Sequence, residues 1–310
     1  MKIYISESHW NNEEWLNDLK KRADINISNN RPSQSEFEKE AKKYDGLIIG
    51  SYLKVNKELL DNSNIKFIGL LAKGSDNIDK KECAKRNISV FYTPEANISS
   101  VSEHIMCLIL ALSKNLINLD SSVRKGGYYD VRLSTYDLKG KTLGIIGAGA
   151  IARELIKRAK AFELNIICHT LNPETHQGLE VGFVSLEKLL AESDFVSACI
   201  PLNSDTKHYI NYERLLLMKK TAYLINTSRG KVVDEKDLIR ALREGVIAGA
   251  GLDVFYDEPV NNEDLFKLKN VILTPHIAGV SKEAIDRMES HVIADMIRCI
   301  EGQDPIYPLL

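Results

Sequence analysis

Arg229, Glu258 and His276 each follow, within a few residues, a short apolar run that predicts a β-strand. The carboxyl ends of parallel strands meet at one edge of a sheet, so these three side chains are expected to gather there. Taken singly, each has an ordinary interpretation. A lone His after a strand is commonly a hydrogen-bonded structural residue, and a lone Arg or Glu is commonly a solvated loop charge.

Together, the three side chains suit hydride transfer to the carbonyl of a 2-oxo acid. Arg229 offers a planar, bidentate donor for the carboxylate of such a substrate. His276 can supply the proton that the carbonyl oxygen needs as the hydride arrives. Glu258 beside that ring would fix its tautomer and stabilise its protonated form. A nicotinamide cofactor would carry the hydride.

A glycine turn upstream fits the binding of such a cofactor. Gly147 and Gly149 lie between the strand-like run 143–146 and the helix-like run 151–161, and Ala152 stands where the third glycine of the motif is usual. Glycines let the backbone approach a ligand closely, and the N-terminus of the following helix attracts a pyrophosphate. The alternative at this stage is an ordinary strand–helix turn that binds nothing.

The elements that must position these residues alternate between strand-like and helix-like runs, which predicts an α/β protein with two doubly wound parallel sheets. Residues 12–22 are predicted as a helix, 99–118 as one long helix that crosses between domains, 121–137 as a loop, and 282–301 as a helix that returns to the first domain. The predicted strands are 3–6, 46–50, 66–71 and 88–92 in the first sheet, and 143–146, 165–169, 195–200, 222–226, 249–253 and 271–274 in the second.

Composition excludes several other classes of function. The 310 residues carry a net charge of −2, with 44% apolar and 27% charged residues, which predicts a soluble globular protein without a nucleic-acid partner. The longest apolar run, 105–112, is too short to cross a bilayer, so no membrane association is expected. The five cysteines show no C-x-x-C pair, which predicts reduced core thiols in a cytoplasmic protein and no metal site.

Motifs in a fixed order identify the chain as similar to a known family. They are the segments 74–79, 93–94 with Asn97, 101–103, 140–147, 201–202 with Thr206, 226–230, 252–255 with 258–259, and 274–279. In this order they resemble the D-isomer-specific 2-hydroxyacid dehydrogenases, which include glyoxylate/hydroxypyruvate reductases, D-lactate dehydrogenases and phosphoglycerate dehydrogenases. The resemblance implies a Rossmann dinucleotide-binding domain, 99–282, inserted in a flavodoxin-like substrate domain formed by 1–98 and 283–310.

The resemblance also implies roles for individual residues. Arg229, Glu258 and His276 match the catalytic positions, and the substrate would be bound by Arg229 and His276 with the backbone amides of Lys73 and Gly74. Asp253 would take the nicotinamide carboxamide. A homodimer held through the nucleotide-binding domains is expected. The implied cofactor-binding residues are Gly147, Gly149, Ala150, Ile151, His169, Thr170, Cys199, Ile200, Pro201, Thr206, Thr227, Arg229, Asp253, His276 and Gly279.

The predicted cofactor is NADP(H) in preference to NAD(H). The acidic residue that holds the adenosine ribose of NAD is missing, and Thr170 stands in its place. His169, Asn172 and His176 are further candidate donors to a 2′-phosphate. Against this, no Arg or Lys lies between Lys160 and Lys188. The alternative is an NAD site that tolerates Thr170.

The predicted function is that of a glyoxylate/hydroxypyruvate-type 2-oxoacid reductase. Lys73, where the family commonly has a small apolar residue, either adds a positive charge for a dianionic substrate or points to solvent. The alternatives are a phosphoglycerate dehydrogenase-like enzyme and a non-catalytic, nucleotide-sensing protein of the corepressor type. A formate or phosphite dehydrogenase is a weaker alternative, because the formate dehydrogenases of this family carry Gln where this chain has Glu258.

Overall fold

A computed structural model describes residues 1–7, 13–127, 135–176 and 178–310. These residues form two compact units, Met1–Asn97 with Val280–Leu310 and Ile98–Gly279. Asn12, where the sequence predicts the start of a helix, lies outside the described residues, as do positions 128–134 of the predicted loop 121–137.

The first unit is built on a five-stranded parallel sheet with the order β2-β1-β3-β4-β5, which is the flavodoxin-like order. Its core strands are apolar and buried, because helices cover both faces of a parallel sheet. The strands are β1 Lys2–Ile5, β2 Asp24–Ile27, β3 Gly46–Ile49, β4 Phe67–Leu70 and β5 Ser89–Tyr92.

Helices from both ends of this discontinuous unit pack on the sheet. Gly69 in β4 lets the last helix approach closely, since a Cβ there would lie 2.4 Å from Cγ2 of Val292. The helices are α1 Glu13–Lys20, α2 Gln34–Ala41, α3 Lys57–Leu60, α4 Lys80–Lys85 and, from the C-terminal segment, α12 Lys282–Ile300.

The second unit carries a seven-stranded parallel sheet with the order β12-β11-β10-β9-β6-β7-β8. The chain order reverses between β6 and β9, which is the switch point of a Rossmann sheet. The prediction of two doubly wound α/β sheets is therefore confirmed. The strands are β6 Thr142–Ile146, β7 Asn165–His169, β8 Gly182–Phe183, β9 Phe195–Ala198, β10 Tyr223–Asn226, β11 Gly249–Leu252 and β12 Val271–Leu273.

Two strands, β2 and β8, are absent from the sequence prediction. Both lie at the edge of their sheets. In β2, exposed positions alternate with half-buried ones, and β8 is only two residues long. Edge strands pair on one side only and need no continuous apolar run, so hydropathy alone does not reveal them.

The helices of the second unit correct one prediction. The predicted single helix 99–118 is broken: α5 ends at Ser113, Asn115 takes a left-handed backbone conformation with φ of 50°, and α6 then runs into the predicted loop. Asn tolerates this conformation better than most residues. The helices are α5 Ile98–Ser113, α6 Leu116–Arg124, α7 Ala150–Ala161, α8 Leu186–Glu192, α9 Tyr212–Leu216, α10 Glu235–Arg243 and α11 Glu263–Phe266, with short 3₁₀ helices at Pro173–His176 and Gly230–Val232.

In the described part of the chain, no single helix is long and apolar enough to cross a membrane. Helices α5 and α6 reach the required length and composition only as a pair, and they are bent by 56° at the break between them. Most side chains of α5 are buried within the second unit.

The cysteines are all free thiols, but they are not all core residues. Cys83, Cys168 and Cys299 are buried and Cys199 is half-buried, whereas Cys107 is exposed on α5. The prediction of core thiols is therefore wrong for Cys107, whose position on the helix turns it out of the apolar face. Burial raises the pKa of Cys168 to about 12, so this thiol stays protonated and unreactive at neutral pH.

The C-terminal tail is fixed to the first unit by a buried carboxylate. Asp295 on α12 is fully buried and accepts hydrogen bonds from the backbone N–H groups of Ile306 (2.6 Å) and Tyr307 (3.0 Å). The tail then pairs with β5, where the Leu309 N–H donates to the Val90 carbonyl at 2.8 Å.

Replacing Asp295 by Asn is expected to destabilise the protein by about 1–3 kcal/mol, because a buried amide NH₂ would face a backbone N–H donor. Urea denaturation followed by circular dichroism measures the change. Asp304→Asn is the matched control, since Asp304 is exposed in the same tail. Equal unfolding midpoints for the two variants would show that Asp295 does not anchor the tail.

Candidate active site and cofactor site

The glycine turn lies at the switch point of the second sheet. The Gly147 N–H donates to the His169 carbonyl at 2.8 Å, and Gly147 has a φ of 106°, which favours glycine. A Cβ at this position would lie 2.5 Å from the Cys199 carbonyl oxygen. Only a glycine therefore lets the ends of β6, β7 and β9 approach each other this closely.

Gly149 forms the N-cap of α7, and a Cβ there would meet no atom within 4 Å. The space beside the helix N-terminus is thus open, and the N-cap residue has no side chain with which to cap the first N–H groups. Such N–H groups and the helix dipole attract a phosphate. The turn consequently fits the pyrophosphate of a dinucleotide, with Ala150 and Ile151 in the first helical turn.

At the end of β7, the ring of His169 is held on both sides. Its Nδ1 lies 3.2 Å from the Val184 carbonyl oxygen, and its Nε2 lies 3.2 Å from the Tyr209 hydroxyl. A carbonyl only accepts, so Nδ1 donates and neither ring nitrogen is left for a phosphate. Thr170 follows directly and is half-buried.

Sequence reasoning missed a cation near this strand end. Arg153 in the first turns of α7 places Nη2 3.1 Å from Nδ1 of His176. In sequence Arg153 precedes the segment between Lys160 and Lys188 that lacks Arg and Lys, and helix α7 brings it to the loop. The available signal was its position directly after Ala152, at the end of the glycine motif.

The segment after β9 carries the residues predicted to line the adenine. Cys199, Ile200 and Pro201 follow the strand, and the Thr206 hydroxyl donates to the Pro201 carbonyl at 2.6 Å. The Thr206 oxygen also accepts from the Asn203 N–H at 2.8 Å. Thr206 therefore shapes this loop, and its contact with a cofactor stays a prediction.

The structure brings Glu258 and His276 into contact. Oε2 of Glu258 lies 2.6 Å from Nδ1 of His276, and Oε1 accepts from the Phe255 N–H at 3.0 Å. Burial raises the pKa of Glu258, but the hydrogen bond and charge of His276, the Phe255 amide and the charge of Arg229 outweigh it, so the pKa is lowered overall. Glu258 is therefore ionised at neutral pH.

The loop that carries His276 is anchored by Asp253. This fully buried carboxylate accepts hydrogen bonds from the Thr274 hydroxyl (2.6 Å) and from the N–H groups of Ile277 (2.9 Å) and Ala278 (2.8 Å). The bonds hold the chain on both sides of His276, whose φ of 53° is unusual for a residue other than glycine. Asp253 thus has a positioning role that sequence reasoning missed, and its contact with a carboxamide stays a prediction.

Arg229 is held against the Glu258 loop by its neighbours. The Asn226 side-chain amide donates to the Arg229 carbonyl at 2.9 Å, and Gly230 packs directly on the backbone of Phe255. The end of β10 and the segment after β11 are thereby fixed to each other. Arg229, Glu258 and His276 all lie at one edge of the sheet, as the sequence predicts.

The remaining predicted site residues are distributed over both units. Lys73 and Gly74 follow β4 in the first unit and are half-buried. In the second unit, Thr227 follows β10 and is buried, and Gly279 ends the segment after β12. Among the residues that the structure describes, no group of three or more His, Cys, Asp or Glu side chains is gathered as a metal site.

Replacing Gly230 by Ala is expected to cost about 1–3 kcal/mol or more of stability, because the Cβ would lie 1.7 Å from the Phe255 carbonyl oxygen. The free energy of unfolding from urea titration tests this. Gly178→Ala is the control, because a Cβ there meets nothing within 4 Å. A Gly230→Ala protein as stable as wild type would contradict the close packing of the two loops.

Comparison with known proteins agrees with this architecture. A family model described as the D-isomer specific 2-hydroxyacid dehydrogenase NAD binding domain matches residues 106–278. The glyoxylate reductase of Thermococcus litoralis is 43% identical over 284 residues, 88% of this chain and 86% of that protein. Among solved structures, the TT0316 protein from Thermus thermophilus has a TM-score of 0.93 at 30% identity, covering 100% of both chains. The acyclic imino acid reductase Bsp5, solved with NADPH and D-Arg, has a TM-score of 0.89 at 27% identity and also covers 100% of both chains. The chain therefore belongs to the D-isomer specific 2-hydroxyacid dehydrogenase family.

Proposed function

We propose that this protein reduces a small 2-oxo acid of the glyoxylate or hydroxypyruvate type to the D-2-hydroxy acid with a reduced nicotinamide cofactor. The observation that carries the proposal is the 2.6 Å contact between Glu258 and His276, with Arg229 beside it at the edge of a Rossmann sheet. The glyoxylate reductase of Thermococcus litoralis, 43% identical over most of the chain, supports the same substrate class.

In this proposal His276 is the general acid. Its Nδ1 is engaged by Glu258, so Nε2 is the atom that donates a proton to the carbonyl oxygen. The ionised Glu258 holds the tautomer and stabilises the ring while it carries its positive charge. Arg229 binds the substrate carboxylate through two parallel hydrogen bonds and orients the carbonyl. The nicotinamide, when bound, supplies the hydride.

The proposal assigns substrate and assembly roles that the resemblance implies. The backbone amides of Lys73 and Gly74 would contribute to binding the substrate carboxylate, and the Lys73 charge would favour an anionic substrate. A homodimer through the nucleotide-binding units is supported by exposed apolar side chains on α6, namely Leu116, Ile117 and Val123. A cytoplasmic location fits the free thiols. The relatives described above do not support a phosphoglycerate dehydrogenase-like enzyme or a corepressor.

The test follows the absorbance of the reduced nicotinamide with a panel of 2-oxo acids. Wild-type protein is expected to oxidise the cofactor with one or more small 2-oxo acids. The His276→Asn variant keeps a donor to Glu258 but has no proton to transfer, so kcat is expected to fall about 10²–10⁴-fold with little change in cofactor affinity.

The matched control is His208→Asn, because His208 also pairs with a carboxylate, Asp234, at 3.1 Å. This variant is expected to keep wild-type kcat. A His276→Asn enzyme with wild-type turnover would refute the general-acid assignment. An inactive wild-type protein that still binds the cofactor would refute the reductase.

We further propose that the cofactor is NADP(H) in preference to NAD(H). No carboxylate follows β7 at the position of Thr170, so no side chain there repels a 2′-phosphate or pairs with a ribose 2′-hydroxyl. The imino acid reductase Bsp5, which is similar in fold and was solved with NADPH, supports this proposal.

Thr170→Asp is expected to weaken NADPH binding by about tenfold or more and to strengthen NADH binding, because the new carboxylate repels the phosphate and accepts from the ribose. Fluorescence titration with both cofactors measures the ratio of dissociation constants. Thr170→Ser is the neutral control. A wild-type protein that binds NADH more tightly than NADPH would reject the assigned cofactor.

A further inference from the structure

The pair formed by Arg153 and His176 lies beside the proposed cofactor turn. A guanidinium only donates, so in the 3.1 Å contact Nδ1 of His176 accepts and its proton sits on Nε2. Both side chains are half-exposed. The pair therefore presents N–H donors from two residues to the space around it.

The charge of Arg153 is not neutralised by a carboxylate in the described residues, whereas the charges of the cationic side chains further along α7 are. Lys157 and Arg158 pair with Glu154 at 2.5 and 2.6 Å, and Lys160 pairs with Glu180. Arg153 has no carboxylate partner within the described residues, and its contact there is the His176 ring. A positive charge in this setting favours an anion.

The position of the pair is set by the strand register. Ile146 at the end of β6 lies opposite His169 at the end of β7. The glycine turn and the loop that begins at Thr170 therefore leave the sheet side by side. Arg153 belongs to the first turns of the helix after the glycine turn, and His176 ends the loop after β7.

We propose that Arg153 and His176 bind the 2′-phosphate of NADP(H) beside Thr170 and so determine the cofactor specificity of this protein. The inference rests on the proposed NADP(H) preference and names the residues that produce it. A guanidinium and an imidazole N–H are both suited to phosphate oxygens. They take over the role of the Arg or Lys that is missing from the loop itself.

The experiment is calorimetric titration with two probes, adenosine 2′,5′-bisphosphate and adenosine 5′-monophosphate, which differ only in the 2′-phosphate. Wild-type protein is expected to bind the bisphosphate more tightly. Arg153→Ala is expected to weaken the bisphosphate by about tenfold or more and to leave the monophosphate unchanged, because one charge-assisted contact is lost.

Lys157→Ala is the matched control, since it removes one positive charge from the same helix one turn further on. It is expected to keep the wild-type ratio of the two affinities. Equal affinity of wild-type protein for both probes, or an equal loss for both probes in Arg153→Ala, would overturn the inference. If Lys157→Ala lowered the ratio of the two affinities as much as Arg153→Ala does, the inference would be overturned too, because the loss of any positive charge on the helix would then explain the result.

The experiments test separately the proposed reductase reaction and the proposed 2′-phosphate subsite formed by Arg153 and His176. A protein that shows the expected probe ratio but reduces no 2-oxo acid contradicts the proposed reaction and supports the subsite. An Arg153→Ala enzyme that turns over normally and keeps its full preference for NADPH supports the reaction and contradicts the subsite.

Discussion

The candidate active site depends on the buried carboxylate of Asp253. Burying a charge is costly unless hydrogen bonds compensate it, and here three donors from the segment 274–278 do so. Since two of them are backbone N–H groups directly after His276, the carboxylate fixes the path of the chain there and the direction of its side chain. The same geometry places the ring within 2.6 Å of Glu258. One buried charge at the end of β11 thus orients the proposed acid at the end of β12.

Close backbone packing completes this arrangement. Gly230 has no side chain, so the segment that carries Arg229 lies directly on Phe255, three residues before Glu258. The cation therefore stays near the carboxylate and helps to lower its pKa against the effect of burial. The cofactor turn uses the same principle, because Gly147 allows three strand ends to meet. In both places a missing Cβ lets neighbouring segments come together.

The cofactor site shows how an α/β sheet assembles a binding surface from separate segments. The glycine turn with the start of α7 and the loop after β7 are separated in sequence by the rest of that helix and by β7, but parallel pairing of β6 with β7 brings them to one edge of the sheet. His169, a candidate for binding the phosphate, is occupied by Val184 and Tyr209. Arg153 lies outside that loop in sequence, and helix α7 brings it into contact with His176 of the loop. Cofactor selectivity at such a sheet edge therefore depends on residues that are neighbours in space, even where they are far apart in sequence.

The amino-acid sequence by itself determined the parallel α/β class, the glycine turn and the placement of Arg229, Glu258 and His276 at strand ends, because short apolar runs and turn residues act locally. The tertiary structure decided the edge strands β2 and β8, which form only where a neighbouring strand offers hydrogen bonds. It also decided the break at Asn115, the anchoring by Asp253 and the meeting of Arg153 with His176. The contacts of Asp253 with the segment 274–278 and of Arg153 with His176 each join residues more than twenty positions apart in sequence. The break in the helix at Asn115 has no local signal in the apolar pattern around it. Such contacts arise from packing, which local periodicity does not encode.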